Sequence, residues 1–157
     1  MLGRSVEQQT NYDNFRNTVL KVEWQSVSDL ILCSKFGMDF VLNAEKRKAA
    51  VKPFAEAFLS PQTLLLPNDF PYFFKADVKH FILWKINGEV EDVDVEASMA
   101  QLHSMHRILD SCVYINPPHL KSILDIEHAH IVFQVAAADN GNGGYTSSSD
   151  KKSEGKE

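Results

Sequence analysis

The stretch Glu127-His128-Ala129-His130-Ile131-Val132-Phe133-Gln134-Val135 constrains this chain more than any other. Period-two alternation makes it a strand. His128, His130, Val132 and Gln134 fall on one face, and Ala129, Ile131, Phe133 and Val135 on the other. The second face is wholly apolar and supplies the packing by itself. Two imidazoles are therefore left to converge on the first face, where they can bind a metal, move a proton or grip an anion. That pattern supports a site without naming a reaction.

The other elements are read against this strand. Residues 80–86 and 112–116 alternate as two further strands. A helix between them is capped near Asp94 and faces inward through Met99, Leu102, His106 and Leu109. In the first half, Tyr12, Phe15, Val19 and Val22 recur at helical spacing, and a short helix over Val27 to Lys35 is stopped by Gly37. Asn43 is expected to cap a helix starting at Ala44. Pro53 kinks that helix or begins a new one carrying Phe54 and Phe58. The expected architecture is α+β, with helices packed on one face of a small, mainly antiparallel sheet.

A chain of 157 residues matches one domain with a sizeable core. Residues 1–9 are expected to be loose and 10–136 to form the domain. From 137 to 157 the Asn-, Gly-, Ser- and Lys-rich tail has almost nothing to bury and is expected to be disordered. The net charge of −5 gives no general attraction to nucleic acid or an anionic membrane, though a local basic pocket around Lys75, Lys79 and Lys85 is open. No apolar run approaches the roughly 20 residues of a bilayer span, and the N-terminus has no hydrophobic signal core. Cys33 and Cys112, in apolar surroundings and far apart, read as buried free thiols of a reducing compartment. A soluble intracellular protein is expected.

Several residues can carry chemistry. His80 opens a strand in which it shares a face with Ile82, Trp84 and Ile86. If that strand lies beside 128–135, then His80, His128 and His130 form a tripod for zinc or another divalent metal, with a fourth position for water. Without metal, the same trio serves acid–base chemistry, because imidazole titrates near neutrality. Both versions stay open. In Leu66-Pro67-Asn68-Asp69-Phe70-Pro71-Tyr72, two prolines restrict the backbone around an Asn-Asp turn. That turn either anchors the chain or presents Asn68 and Asp69 at a pocket rim. Asn116, ahead of Pro117 and Pro118, lies on the face of Cys112 and Tyr114 and can offer its amide to a ligand, although the prolines also end the strand. His103 and His106 sit beside the apolar stripe of their helix, where a core-edge role is expected. No phosphate-cradling glycine loop, Cys-x-x-Cys pair or serine-nucleophile elbow is present.

Taken together, Leu66-Pro67-Asn68-Asp69-Phe70-Pro71-Tyr72, His80 with Trp84, Tyr114-Ile115-Asn116-Pro117-Pro118-His119-Leu120-Lys121-Ser122-Ile123 and Glu127-His128-Ala129-His130 resemble the N-acetylglucosamine-induced protein family. This family is known best from fungi and described largely as a domain of unknown function. The resemblance spans about residues 24 to 135, with Trp24 aligning to an early aromatic. It implies a cytoplasmic or nuclear protein tied to sugar response, and it brings no catalytic residues with it.

The expected site is thus a pocket of Asn68, Asp69, His80, His128 and His130, with Trp84 as an aromatic wall and Tyr72 and Asn116 beside it. As an enzyme it would hydrolyse or transfer on a small phosphorylated or sugar-derived metabolite, with a histidine as acid–base group and Asp69 orienting a histidine. The alternative is a domain that binds a small ligand, or a protein partner of unspecified kind, without turnover. Neither version involves nucleic acid or a membrane.

Overall fold

The structure is a computed structural model that describes residues 3–45, 47–52 and 60–137. The Pro53 helix with Phe54 and Phe58, and the tail after Ala137, lie outside the described residues. Four antiparallel strands form the main sheet: β3 (Gln62–Pro67), β4 (Val78–Ile86), β5 (Ile108–Tyr114) and β6 (Glu127–Val135), in spatial order β3-β4-β6-β5. A separate hairpin pairs β1 (Phe40–Leu42) with β2 (Ala49–Val51). Helices α1 (Val6–Phe15) and α2 (Lys21–Glu23) run into each other through a π-helical turn, Arg16–Leu20. Helix α3 spans Val27–Ser34, and α4 spans Asp92–Met105. The expected α+β class is the one observed.

The two central strands, β4 and β6, are both covered on both faces. On one face Leu83, Ala129, Ile131, Phe133 and Val135 are buried beneath α4, whose Leu102 is fully enclosed and whose Val95 and Met99 pack against the same cluster. On the other, Ile82, Trp84 and Ile86 pack against Ile31 of α3 and against Ile123 and Ile126 from the loop before β6. Helices therefore lie on both faces rather than one, and the histidine face is roofed. The physical reason is in β4: its even-numbered face carries Ile82, Trp84 and Ile86, more apolar area than one solvated face tolerates.

Local chemistry explains where elements begin and end. Ser5 accepts a hydrogen bond from the Gln8 amide, and the Gln8 side chain accepts one from the Ser5 amide. This capping box starts α1 at Val6, inside the segment expected to be loose. Helix α1 buries no residue; it rests on the domain through Tyr12 and Phe15, whose rings meet Phe70 at 5.2 and 4.8 Å. Helix α3 ends at Ser34, one residue short of the expected Lys35, and Gly37 just beyond it adopts φ +70.

Other boundaries differ from expectation. Asn43 does not cap a helix. Its side-chain oxygen accepts from the Glu45 amide, the chain turns back through Arg47 at φ 53, and Asn43 N–H bonds Lys48 C=O, which closes the β1–β2 hairpin. Helix α4 ends at Met105, because His106 is already extended; Leu109 consequently lies in β5, exposed rather than inward-facing. Strand β5 starts four residues before the expected 112 and stops at Tyr114, with a bulge between Ile108 and Asp110. Both cysteines are free, but Cys112 on this edge strand is exposed and Cys33 only half-buried.

Candidate functional site

The antiparallel register of β4 and β6 builds the histidine cluster. Trp84 stands opposite His128, Ile82 opposite His130 and His80 opposite Val132. His80 and His130 are therefore diagonal neighbours on one face, within reach of each other across the strands. His80 Nε2 lies 3.0 Å from His130 Nδ1. All three histidines are buried.

Two asparagines bracket the pair. Asn116 Nδ2 is 3.2 Å from His130 Nε2. With that amide nitrogen donating, neutral His130 carries its proton on Nδ1 and donates it to His80 Nε2. Asn68 is held by its own backbone, its Oδ1 accepting from the Phe70 amide at 3.0 Å. This aims Nδ2 at His80, 3.3 and 3.4 Å from the two ring nitrogens and on neither lone-pair axis. Aromatic rings complete the enclosure: Tyr114 stacks on His130 at 4.8 Å and 8°, and Tyr72 on His80 at 5.7 Å and 21°. Burial drops the His80 imidazole to about 4, helped by the Arg4 charge. Burial likewise drops His130 to about 4, with His80 and His128 adding to the effect. Burial also lowers His128, and it pushes the Tyr114 phenol up to about 12. At neutral pH the cluster is uncharged.

His128 is oriented separately. Its Nδ1 lies 2.9 Å from the Ile126 carbonyl, and its ring meets Trp84 at a centroid distance of 5.2 Å. The expected tripod is therefore not formed. His80 and His130 turn nitrogens toward each other, and His128 turns one toward the main chain. Among the described residues no group of three or more His, Cys, Asp or Glu side chains is placed to hold a metal ion.

His128, His130 and Trp84 form part of the wall of a cavity of about 900 Å³ between the sheet and α1–α3. Its lining is strongly biased in charge. Among the described residues, Arg4, Arg16, Lys21, Lys35 and Lys48 contribute five cations, and Asp69 is the one carboxylate. The chain as a whole has 21 acidic against 16 basic residues, so this excess is a property of the place and not of the composition. Arg4 lies over the Tyr12 ring at 4.1 Å and bonds the Phe70 carbonyl, and Lys35 Nζ meets Asp69 at 2.6 Å.

The family model described as "Protein of unknown function (DUF3605)" matches residues 1–134. The chain belongs to that family. A crystal structure titled HTC1 shares the fold at a TM-score of 0.50 and 18% identity, covering 88% of this chain and 78% of that one. No curated protein matches the chain. No helix among the described residues is long and apolar enough to cross a membrane.

The structure brings together His80, His128, His130, Asn68, Trp84, Tyr72 and Asn116. It does not bring Asp69 to a histidine: that carboxylate is 60% exposed and closes on Lys35. The reason is the Asx turn, which uses Asn68 to face inward and sends the next side chain out. The basic pocket is also not at Lys75, Lys79 and Lys85. Lys85 is buried on the α4 face, paired with Asp94 at 2.6 Å. Sequence reasoning missed Arg4, Arg16, Lys21, Lys35 and Lys48, the stacking by Tyr114, and the Pro118–Leu120 turn that leads to Leu120 and Ser122 at the cavity wall. The spacing of Tyr12, Phe15 and Arg16 with Lys21 was the available signal: one helical run supplies both the aromatic anchors and three of the cations, if Arg4 is counted at its start.

Proposed function

We propose that this DUF3605 protein binds a small anionic metabolite, phosphorylated or sugar-derived, in the cavity between the sheet and its N-terminal helices. The observation that carries this reading is the lining: among the described residues, five cations and one carboxylate around about 900 Å³ in a chain of net charge −5. That volume suits a metabolite-sized ligand. A cation-rich, partly enclosed site also strengthens charge-assisted hydrogen bonds to phosphate or carboxylate oxygens. A link to sugar response, implied by the resemblance to the N-acetylglucosamine-induced protein family, belongs to the same reading.

Binding has more support than hydrolysis or transfer. A general base needs a nitrogen facing the ligand and a partner that orients it. Here His80 and His130 face each other, Asn116 covers the second nitrogen of His130, and Asp69 attends Lys35. His128, though oriented by the Ile126 carbonyl, is made less basic by burial and has no carboxylate partner on its ring among the described residues. The uncharged histidines act in this reading as hydrogen-bonding wall groups.

A thermal-shift and calorimetric screen of phosphorylated metabolites, with unphosphorylated counterparts as controls, tests the proposal. A ligand at 100 times its Kd stabilises the fold by about 2.7 kcal/mol. Its binding should weaken as salt rises and fall about tenfold in Arg16→Gln or Lys48→Gln. Absence of any shift with millimolar anionic compounds, at low salt, refutes the reading. Turnover of a hit that is lost in His130→Ala would replace binding by catalysis.

A further inference from the structure

We propose that Trp84 and His128 together read a hydroxyl group at the inner wall of the cavity, so that the ligand is a phosphorylated polyol or sugar bound with its hydroxyl end inward and its phosphate among the cations. This inference rests on the anion-binding reading above and narrows it to one ligand class.

The argument begins with an orphaned donor. Trp84 lines the cavity and is 7% exposed, and its indole N–H has no hydrogen-bond partner among the described residues. An indole can only donate, and a buried donor left unmet is costly. Directly opposite, on β6, stands His128, its ring in contact with the indole. The Ile126 carbonyl at 2.9 Å can only accept, so His128 Nδ1 carries the proton. In the neutral ring that burial favours, Nε2 is then a fixed acceptor.

Paired strand positions therefore carry one unmet donor and one acceptor on neighbouring rings. A phosphate or carboxylate oxygen would satisfy the indole but set its lone pairs against Nε2. An ammonium group would satisfy Nε2 and leave the indole orphaned. A hydroxyl accepts from Trp84 and donates to His128, meeting both at once. The phosphate is then left to the cations, of which Arg16 and Lys48 line the same cavity. A site built to bond a hydroxyl also rejects analogues that lack it, because its own polar groups are then stranded.

Calorimetry on the full chain with a panel of hexose, pentose and glycerol phosphates, against alkyl phosphates of matching length, tests this. At least one polyol phosphate should bind about tenfold or more tighter than its alkyl counterpart. Trp84→Phe, which keeps an aromatic ring and removes the donor, should abolish that difference. In ¹H–¹⁵N spectra of the unaltered protein, the Trp84 indole signal should move with the polyol phosphate and stay with the alkyl one. Equal affinities for the two series, or an indole signal indifferent to the hydroxyls, overturn the hydroxyl reading and leave the anion pocket standing. Binding of neither series overturns both. Binding of unphosphorylated sugars as tightly as their phosphates overturns the assigned orientation.

Discussion

Acid should unfold this protein in a pH window set by its histidine pair. His80 and His130 ionise in the folded chain at about 4, against an ordinary value of 6.5. Between those values the unfolded chain binds protons that the folded chain refuses. Stability is therefore fully present above about pH 6.5 and lost as pH falls toward 4. Going from pH 7.5 to 5, each group removes about 2 kcal/mol, so the two together remove about 4 kcal/mol if they act independently. That is a large part of the 5–15 kcal/mol typical of a domain. His128, also lowered by burial, works in the same direction. The carboxylates with lowered values, Asp77 and Asp94, start from 3.8 and lie below this window. Urea unfolding followed by tryptophan fluorescence at pH 7.5, 6.5, 5.5 and 5.0 measures the loss. A change under about 1 kcal/mol across that range refutes the reasoning, as would ring carbon resonances of His80 and His130 titrating near 6.5. His130→Gln should flatten the profile, and the unaltered protein alone decides the matter if that variant does not fold.

Two further outcomes check the packing and the site. Leu102→Ala, at the fully enclosed centre of the α4 face, should cost about 2–5 kcal/mol in urea unfolding without altering the histidine titration, and a cost below about 1 kcal/mol would mean that α4 is not the cover of that face. Asp69→Asn should change stability by less than about 1 kcal/mol and leave the His80 and His130 resonances in place, because this exposed carboxylate meets Lys35; a shift of either histidine would restore it as an orienting group.

Alternation was the most legible signal. In β6 the apolar set Ala129, Ile131, Phe133 and Val135 is buried on one side, and His128 and His130 share the other. In β4 the grouping of His80 with Ile82, Trp84 and Ile86 likewise followed from spacing alone, and both strands were placed within two residues. Asn116 was reached the same way, from the face of Tyr114, and it does meet His130 although it stands just past the strand end. The weaker readings share one cause. Asn43, Leu109 and Asp69 each sit where a local turn competes with a periodic pattern, and the turn geometry prevails because one Asx hydrogen bond or one extended residue redirects every side chain that follows.

Side-chain periodicity is a property of a single backbone segment, so the sequence by itself determined which face of each strand holds the imidazoles and which packs. The class of the fold and the interior positions of Leu83, Ile131 and Phe133 follow from it. The tertiary structure alone decided that β4 lies against β6 in a register that sets His80 Nε2 on His130 Nδ1. It alone gathered Arg4, Arg16, Lys21, Lys35 and Lys48 around one cavity in an acidic chain. Strand pairing and helix docking join residues tens of positions apart, through area and shape shared between segments. No periodicity within one segment records that sharing.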